Sequence, residues 1–455
     1  MSPAARWQTM RPAELGVPGP TTVEMARAFR SIRRDPLAFL TAVWQRHGDL
    51  VALPVPGPPA LLVNDPDAVR HVLQGAARNW GKQTIQYSAL ARVTGQGLLA
   101  SAEPNWIEHR RLAAPAFHHR RLEAVSGEVR LAADAAIDGA LVGTHRTGAV
   151  VDVAALTHRI GLDAVGRALF STDLSPQAGA LLDATSRASE LVVRLGRSVL
   201  PGARWAPTPT NLRLRATRRR LDAITADVVA QRRARARGGD DLLGLLLDSD
   251  LTDAQIRAEL VTMVIAGHET VAAALTWTLM LLAEHPEIQR NVRAELAGRP
   301  SPVSLLEHRD TLPWTRAAID EALRLYPPAW VISRRALGPD VLSGLEVPPG
   351  TLAIISPWLA HRRHDSWPAP LDFRPERFLG AEPPRSVYLP FGQGPRLCIG
   401  REFALGEMVV VLSRLLSAYR VDVPPAWSRP ACRAQVAVHP DGGMPLLLSP
   451  GRDRP

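Results

Sequence analysis

The chain has 455 residues, 46% of them hydrophobic, two cysteines and a formal net charge of +10. This is ample material for a large core and too little cysteine for a disulfide framework. No apolar run reaches the roughly 18 residues that cross a membrane, and the first twenty residues lack a signal-peptide hydrophobic stretch. A soluble cytoplasmic protein is expected.

Length alone suggests two or three domains. With no internal repeat or low-complexity linker, one multi-lobed unit over 1–455 is the simpler reading. "DPLAFLTAVWQRHG" (35–48) reads as a helix stopped by glycine. "DLVALPV" and "PALLVND" read as two strands joined by a Pro-Gly-Pro turn. "DPDAVRHVLQG" has an Asp cap and an apolar stripe, so it is a short helix. From about Pro104 to Pro328 the periodicity is almost wholly helical. "VLSGLEVPPGTLAIIS" returns to strands around a Pro-Pro-Gly turn, and "AQVAVHPDGGMPLLLS" reads as a hairpin around Asp441-Gly442-Gly443. The fold class is therefore mainly α with a smaller β lobe. The β lobe comes from about 49–80, 330–390 and 431–450, and the helical lobe from about 81–329 and 398–420.

Of the 54 basic residues only Lys82 is a lysine. The densest basic cluster spans 211–239, with Leu214, Leu221, Ile224 and Val228 at helical spacing between arginines. A solvated helix face accounts for it, and a nucleic-acid surface is the alternative.

The longest helix starts at Thr252 and Gln255, spaced as a capping box, and ends near Pro286. About 32 residues at 1.5 Å each span roughly 48 Å. Its apolar middle contains "AGHET". Gly267 costs about 1 kcal/mol against Ala in a helix interior, and Glu269 and Thr270 place polar groups where burial demands a partner. Ala266 and Gly267 leave room beside the backbone. A helix crossing with a satisfied polar pair is the structural alternative.

Other stretches are weaker alone. Glu321 and Arg324 are three apart on a helix and can pair. Arg377 ends the polar loop "FRPERF". Trp106 and Arg110 share a helical face that would suit an anion. Arg334 and Arg335 follow an extended apolar run. Cys398, in "FGQGPRLCIG", could be a core cysteine, a partner for Cys432 or a nucleophile. Its flanking glycines point to a backbone that turns close to something bulky, and N–H groups aimed at the sulfur would stabilise thiolate.

Phe391, Gly394, Arg396, Cys398 and Gly400 fit F-x-x-G-x-R-x-C-x-G. That pattern, with Trp106/Arg110, Ala266–Thr270, Glu321/Arg324 and "FRPERF" in the same order, resembles the cytochrome P450 family across most of the chain. The resemblance implies the P450 fold, with the long helix over haem b, and Cys398 as proximal thiolate ligand that favours O–O cleavage. By similarity, Phe391 shields the sulfur, while Gly394 and Gly400 let the loop and next helix approach the porphyrin. Trp106, Arg110, Arg334 and Arg396 match propionate-binding positions, with Arg335 able to replace Arg334 by a one-residue slip. Ala266 and Gly267 leave space for O₂. Thr270 and Glu269 match the alcohol and acid of proton delivery, while His268 points away. Glu321, Arg324 and Arg377 resemble a buried structural charge triad.

The acid–alcohol pair favours an O₂-dependent monooxygenase: R–H + O₂ + two electrons + two protons giving R–OH and water. No flavin, nicotinamide or iron–sulfur signature is present. NAD(P)H therefore acts only indirectly, through a ferredoxin or flavodoxin and its reductase, with Arg120, Arg121, Arg396 and Arg401 as a landing site. By analogy Leu98, Leu99, Ile265, Ala266, Val331, Ile332 and Val436 line the substrate pocket, which makes a hydrophobic substrate the expectation. A terpenoid or polyketide tailoring step is the leading reading. Fatty-acid hydroxylation and a haem-binding sensor without turnover are the alternatives.

Overall fold

Seven of the described helices start at side-chain caps that satisfy otherwise orphaned N–H groups. In the computed structural model, which describes residues 16–55, 58–141, 148–174, 177–196, 206–234, 239–297, 304–306, 311–380 and 386–451, Thr21 caps α1 (Thr22–Arg34) and Asp35 caps α2 (Pro36–His47). Gly48, at φ 92°, ends α2. Asp65 caps α3 (Pro66–Arg70), which continues as a π-helical turn over His71–Gly75. Thr84 caps α4 (Ile85–Thr94); α5 (Asn105–Ala113) and α6 (His119–Ala140) follow. Asp152 caps α7 (Val153–Phe170), and α8 (Ala178–Gly196) and α9 (Pro209–Ala234) come next. Asp241 caps α10 (Leu242–Leu247). The long helix α11 (Asp253–Glu284) carries the expected Thr252/Gln255 capping box and stops before Pro286. The remaining helices are α12 (Pro286–Leu296), α13 (Pro313–Leu325), α14 (Pro357–Ala360) and α15 (Arg401–Ala418).

The strands form a five-stranded sheet and smaller ribbons. β1 (Leu50–Leu53) and β2 (Ala60–Val63) pair antiparallel, with Leu50 opposite Val63; residues 56–57 of the expected turn between them lie outside the described residues. The sheet continues through β8 (Leu352–Ile355), parallel to β2, then β5 (Ile332–Ala336) and β3 (Trp80–Gly81). β6 (Asp340–Leu342) and β7 (Leu345–Val347) form a hairpin.

Two features depart from the sequence reading. β4 (Ala149–Asp152) interrupts the helical stretch and pairs with β12 (Pro445–Pro450), which also pairs with β9 (Tyr419–Asp422). The C-terminal hairpin turns at Gln435–Ala437, between β10 (Cys432–Ala434) and β11 (Val438–Pro440), not at Asp441–Gly443. Gly442 and Gly443, at φ 85° and 93°, instead redirect the chain from β11 into β12.

α11 runs through the middle of the protein. Contrary to the expectation that no segment is apolar enough, its length and mean hydropathy would allow it to cross a membrane, but 83% of its apolar window is buried inside the protein. It crosses α7 at close range. A side chain on Gly161 would meet the His268 carbonyl at 3.2 Å, and one on Gly267 would meet Val165 Cγ2 at 2.8 Å. On α9, Leu214, Leu221 and Val228 are buried while most arginines face outward; residues 235–238 of that basic stretch lie outside the described residues.

Candidate active site

Between Glu259 and Ala283 only Ala266, Gly267 and Thr270 keep solvent access; every other position of α11 there is buried. Positions i, i+1 and i+4 share a helical face, so this face opens onto space inside the molecule. Ala266 provides the room there, whereas the missing side chain of Gly267 serves the α7 crossing. The absence of a side chain at Gly267 thus has a packing reason of its own, beside the room for O₂ expected of it. Thr270 Oγ1 donates to the Ala266 carbonyl at 2.7 Å. Its proton is thereby committed, and its lone pairs are left to accept from the accessible side.

Glu269 does not share that face. It is 3% exposed, and Ser189 Oγ of α8 donates to its Oε1 at 2.5 Å. Its Oε2 has no partner among the described residues. Burial pushes its pKa up to about 7, against the opposing pull of the Ser189 hydrogen bond. The expected acid–alcohol pair is thus adjacent in sequence, but its carboxyl is held toward α8. The His268 side chain is buried, its Nδ1 2.6 Å from the Val264 carbonyl of the same helix.

The cysteine loop is built by backbone. Gly392 and Gly394 both sit at φ 72°, which favours glycine, and a Cβ on Gly394 would collide with the Leu73 carbonyl of the π-helical turn. The Cys398 N–H donates to the Phe391 carbonyl at 3.0 Å. Gly400 N–H points at the sulfur, opening α15, and the ring of Phe117 lies 3.5 Å from where a Gly400 side chain would start. The Cys398 side chain is accessible to solvent and free of any disulfide. Yet the protein around it pushes its pKa up, with the Gly400 N–H and the charges of Arg110, Lys82 and Arg401 pulling it down. A thiol both accessible and surrounded faces an interior space, not the outer surface.

Cations gather beside it. Arg396 stacks 3.8 Å over Trp106 and donates to the Ser101 carbonyl at 3.0 Å. Arg110 donates to the Leu397 carbonyl at 2.9 Å, tying α5 to the loop next to Cys398. Arg334 is buried and reaches Tyr87 Oη at 3.4 Å, whereas Arg335 faces out. Lys82, not anticipated from sequence, donates to the Leu99 carbonyl at 3.0 Å and lies 4.5 Å over the Tyr87 ring. Its pKa is driven well down by burial, then by Arg334, Arg396 and Arg110. Among the described residues the carboxylate paired with this group is Glu103, 4.0 Å from Arg396. Four basic side chains with so little counter-charge among the described residues fit a dianionic ligand, and the two propionates of a haem would match that charge beside an accessible thiol.

The triad is assembled as expected. Arg324 grips Glu321 with two nitrogens at 2.6 and 2.7 Å, both side chains fully buried, and Arg377 adds a contact at 3.2 Å. His361, missed in the sequence, accepts from Leu389 N–H and donates to the Arg324 carbonyl, joining the triad to the approach of the cysteine loop.

Leu98 and Ile265 belong to one apolar cluster, with Leu99 and Val436 packed against it. Ile332 belongs instead to the core of the five-stranded sheet, and its Cδ1 lies 3.9 Å from a side chain built on Gly392. Val331 is half-buried, and its carbonyl accepts from Gln86 at 3.5 Å. Among the landing-site arginines, Arg396 is turned inward over Trp106 and Arg121 pairs with Asp240 at 2.9 Å. Arg120 remains exposed, Arg401 is half-buried, and exposed Arg111 was not anticipated.

The cytochrome P450 family model matches residues 17–446. The chain is 33% identical to a pentalenene oxygenase of Streptomyces avermitilis, over 93% of this chain and 94% of that protein. It is 31% identical to a cyclooctat-9-en-7-ol 5-monooxygenase of Streptomyces melanosporofaciens, over 88% of each. Among solved structures, CYP175A1 from Thermus thermophilus matches with a TM-score of 0.75 and 32% identity, covering 94% of this chain and 98% of that one. The chain belongs to the cytochrome P450 family of haem-dependent enzymes.

Proposed function

We propose that this P450 is a monooxygenase that inserts one oxygen atom into a hydrophobic, terpenoid-like substrate. The observation that carries the reading is the accessible interior thiol of Cys398 beside Lys82, Arg110, Arg334 and Arg396. Cys398 would hold the haem iron through its sulfur, with the Gly400 N–H directed at that sulfur. The four cations hold the propionates, and Trp106 backs Arg396. When bound, the haem supplies O₂ activation and oxygen transfer. Thr270 accepts a hydrogen bond from the accessible side of α11, and Glu269 supplies protons by exchanging Ser189 for water. A pKa of about 7 suits a group that must both hold and release a proton near neutrality.

Electrons come from a separate acidic ferredoxin or flavodoxin meeting Arg111, Arg120 and Arg401. The terpenoid preference rests on the names of the two Streptomyces relatives and on the apolar character of Leu98, Leu99, Ile265 and Val436.

The first test is the absorption spectrum of the dithionite-reduced protein under CO. Wild type should show a strongly red-shifted Soret band and Cys398→Ser should lose it. A Cys398→Ser protein that keeps the band would remove the thiolate from the site. Sesquiterpene and diterpene hydrocarbons should then shift the haem spin state at micromolar concentration. If only fatty acids do so, the substrate class is wrong while the monooxygenase stands.

A further inference from the structure

We infer that Glu259, held by His109, is a positioning residue that clasps the segment Gly95–Leu99 onto α11 and so sets the shape of the wall presented to substrate. The inference rests on the reading that Leu98 and Leu99 line the pocket. His109 Nδ1 lies 2.6 Å from Glu259 Oε1, both side chains 3% exposed. The other carboxylate oxygen accepts the Leu98 N–H at 3.1 Å. A carboxylate buried this deeply is costly unless paired and hydrogen-bonded, and here its second oxygen is spent on one loop amide.

The segment is shaped to lie flat on the helix. Gly95 sits at φ 80°, where a side chain would meet Ala258 Cβ at 2.9 Å, and a side chain on Gly97 would strike Thr262 Oγ1. Its far end is fastened too: the Leu99 carbonyl accepts from Lys82 and the Ser101 carbonyl from Arg396. The clasp therefore joins the cation cluster to the N-terminal third of α11 through the seven residues 95–101. Neither Glu259 nor His109 has solvent access of its own beyond this contact, so the pair acts through the loop.

Two variants test it in the haem-loaded protein. Glu259→Leu removes the acceptor, while Glu259→Gln keeps one for the Leu98 amide. The first should speed hydrogen exchange across 95–101 at least tenfold with α15 unchanged, and the second by less than threefold. Imidazole is too small to reach the loop, whereas 4-phenylimidazole extends toward it. Glu259→Leu should weaken 4-phenylimidazole about tenfold and imidazole less than twofold, by difference spectra. Gly97→Ala lifts the segment with Glu259 intact, and should reproduce the selective loss if Glu259→Leu fails to fold. Unchanged exchange at 95–101 overturns the clasp itself. Faster exchange with both azoles unaffected overturns it differently, by showing that the segment does not face the pocket.

Discussion

At position 82 a positive charge is buried among three guanidinium groups, with burial and Arg334 the leading causes of its depressed pKa. Its Leu99 hydrogen bond is set against burial beside like charges until an anion arrives, so Lys82→Met should separate haem retention from apo-protein stability. Transfer of haem to apomyoglobin should quicken about tenfold, which is about 1.4 kcal/mol, while the thermal midpoint of the apo form should rise. The signal for Lys82 was present in the sequence, as the single lysine beside 53 arginines, but only its convergence with Arg334 and Arg396 shows what it is for. Glu269 illustrates the opposite limit. Its neighbour Thr270 was legible from the motif, yet Ser189 lies 80 residues away and no local pattern points to it. Burial raises the folded pKa of Glu269 above the 4.5 of an ordinary carboxyl, to about 7. The stability it contributes is therefore complete below pH 4.5 and lost as pH rises through 7. Glu269→Gln should be about 3 kcal/mol more stable than wild type at pH 8 and nearly equal at pH 4, by urea unfolding. The same substitution should slow turnover at least tenfold.

The crossing of α7 and α11 shows how one residue type can serve an element. Gly267 lies where α7 brings Val165 to within 2.8 Å of an added side chain. Overpacking of this kind costs about 1–3 kcal/mol. Gly267→Ala should lose that much, and Val165→Ala in the same chain should restore a part, a coupling readable from a double-mutant cycle. The triad on α13 is stiffer. Removing Glu321 leaves Arg324 charged, fully buried and short of its bidentate partner, so Glu321→Ala should cost about 3–5 kcal/mol and reduce folded yield sharply. The bounds of α2 and α11 were legible because Asp35, Gly48, Thr252 and Pro286 mark them locally. β4 was not, because its partner β12 lies some 300 residues further on and its four residues carry no turn signal of their own. The C-terminal hairpin was misplaced for a related reason. The glycines that look like its turn are required where β11 hands over to β12, and the actual turn at Gln435–Ala437 contains no glycine.

At the scale of the whole molecule, four imidazoles among the described residues are held neutral by burial: His268, His361 and His439 at about 3 and His158 at about 4, against 6.5 when unfolded. His158 lies between the other two of its group, with ring centroids 5.6 Å from His268 and 5.3 Å from His439. A base whose folded pKa is depressed adds stability above its unfolded pKa and loses it as pH falls, at about 1.4 kcal/mol per pH unit for a fully buried group. Two buried carboxyls act in the opposite sense, since burial raises both Glu269 and Glu407. Both work against His268 and His361, the two imidazoles with almost no solvent access, as pH falls from 6.5. His158 and His439 keep partial access, so together they contribute less than the fully buried limit, about 1–2 kcal/mol per pH unit. The window from pH 6.5 to 4.5 lies above the unfolded pKa of the aspartates, and His109, raised by its Glu259 contact, adds stability that is lost only as pH rises. The pH dependence of stability there thus falls to one pair of histidines. Urea unfolding from pH 6.5 to 4.5 should show wild-type stability declining at that rate and a His158→Phe/His439→Phe double variant staying nearly flat. A double variant with the wild-type slope would place the acid sensitivity elsewhere, in carboxylates whose native pKa values burial has not raised.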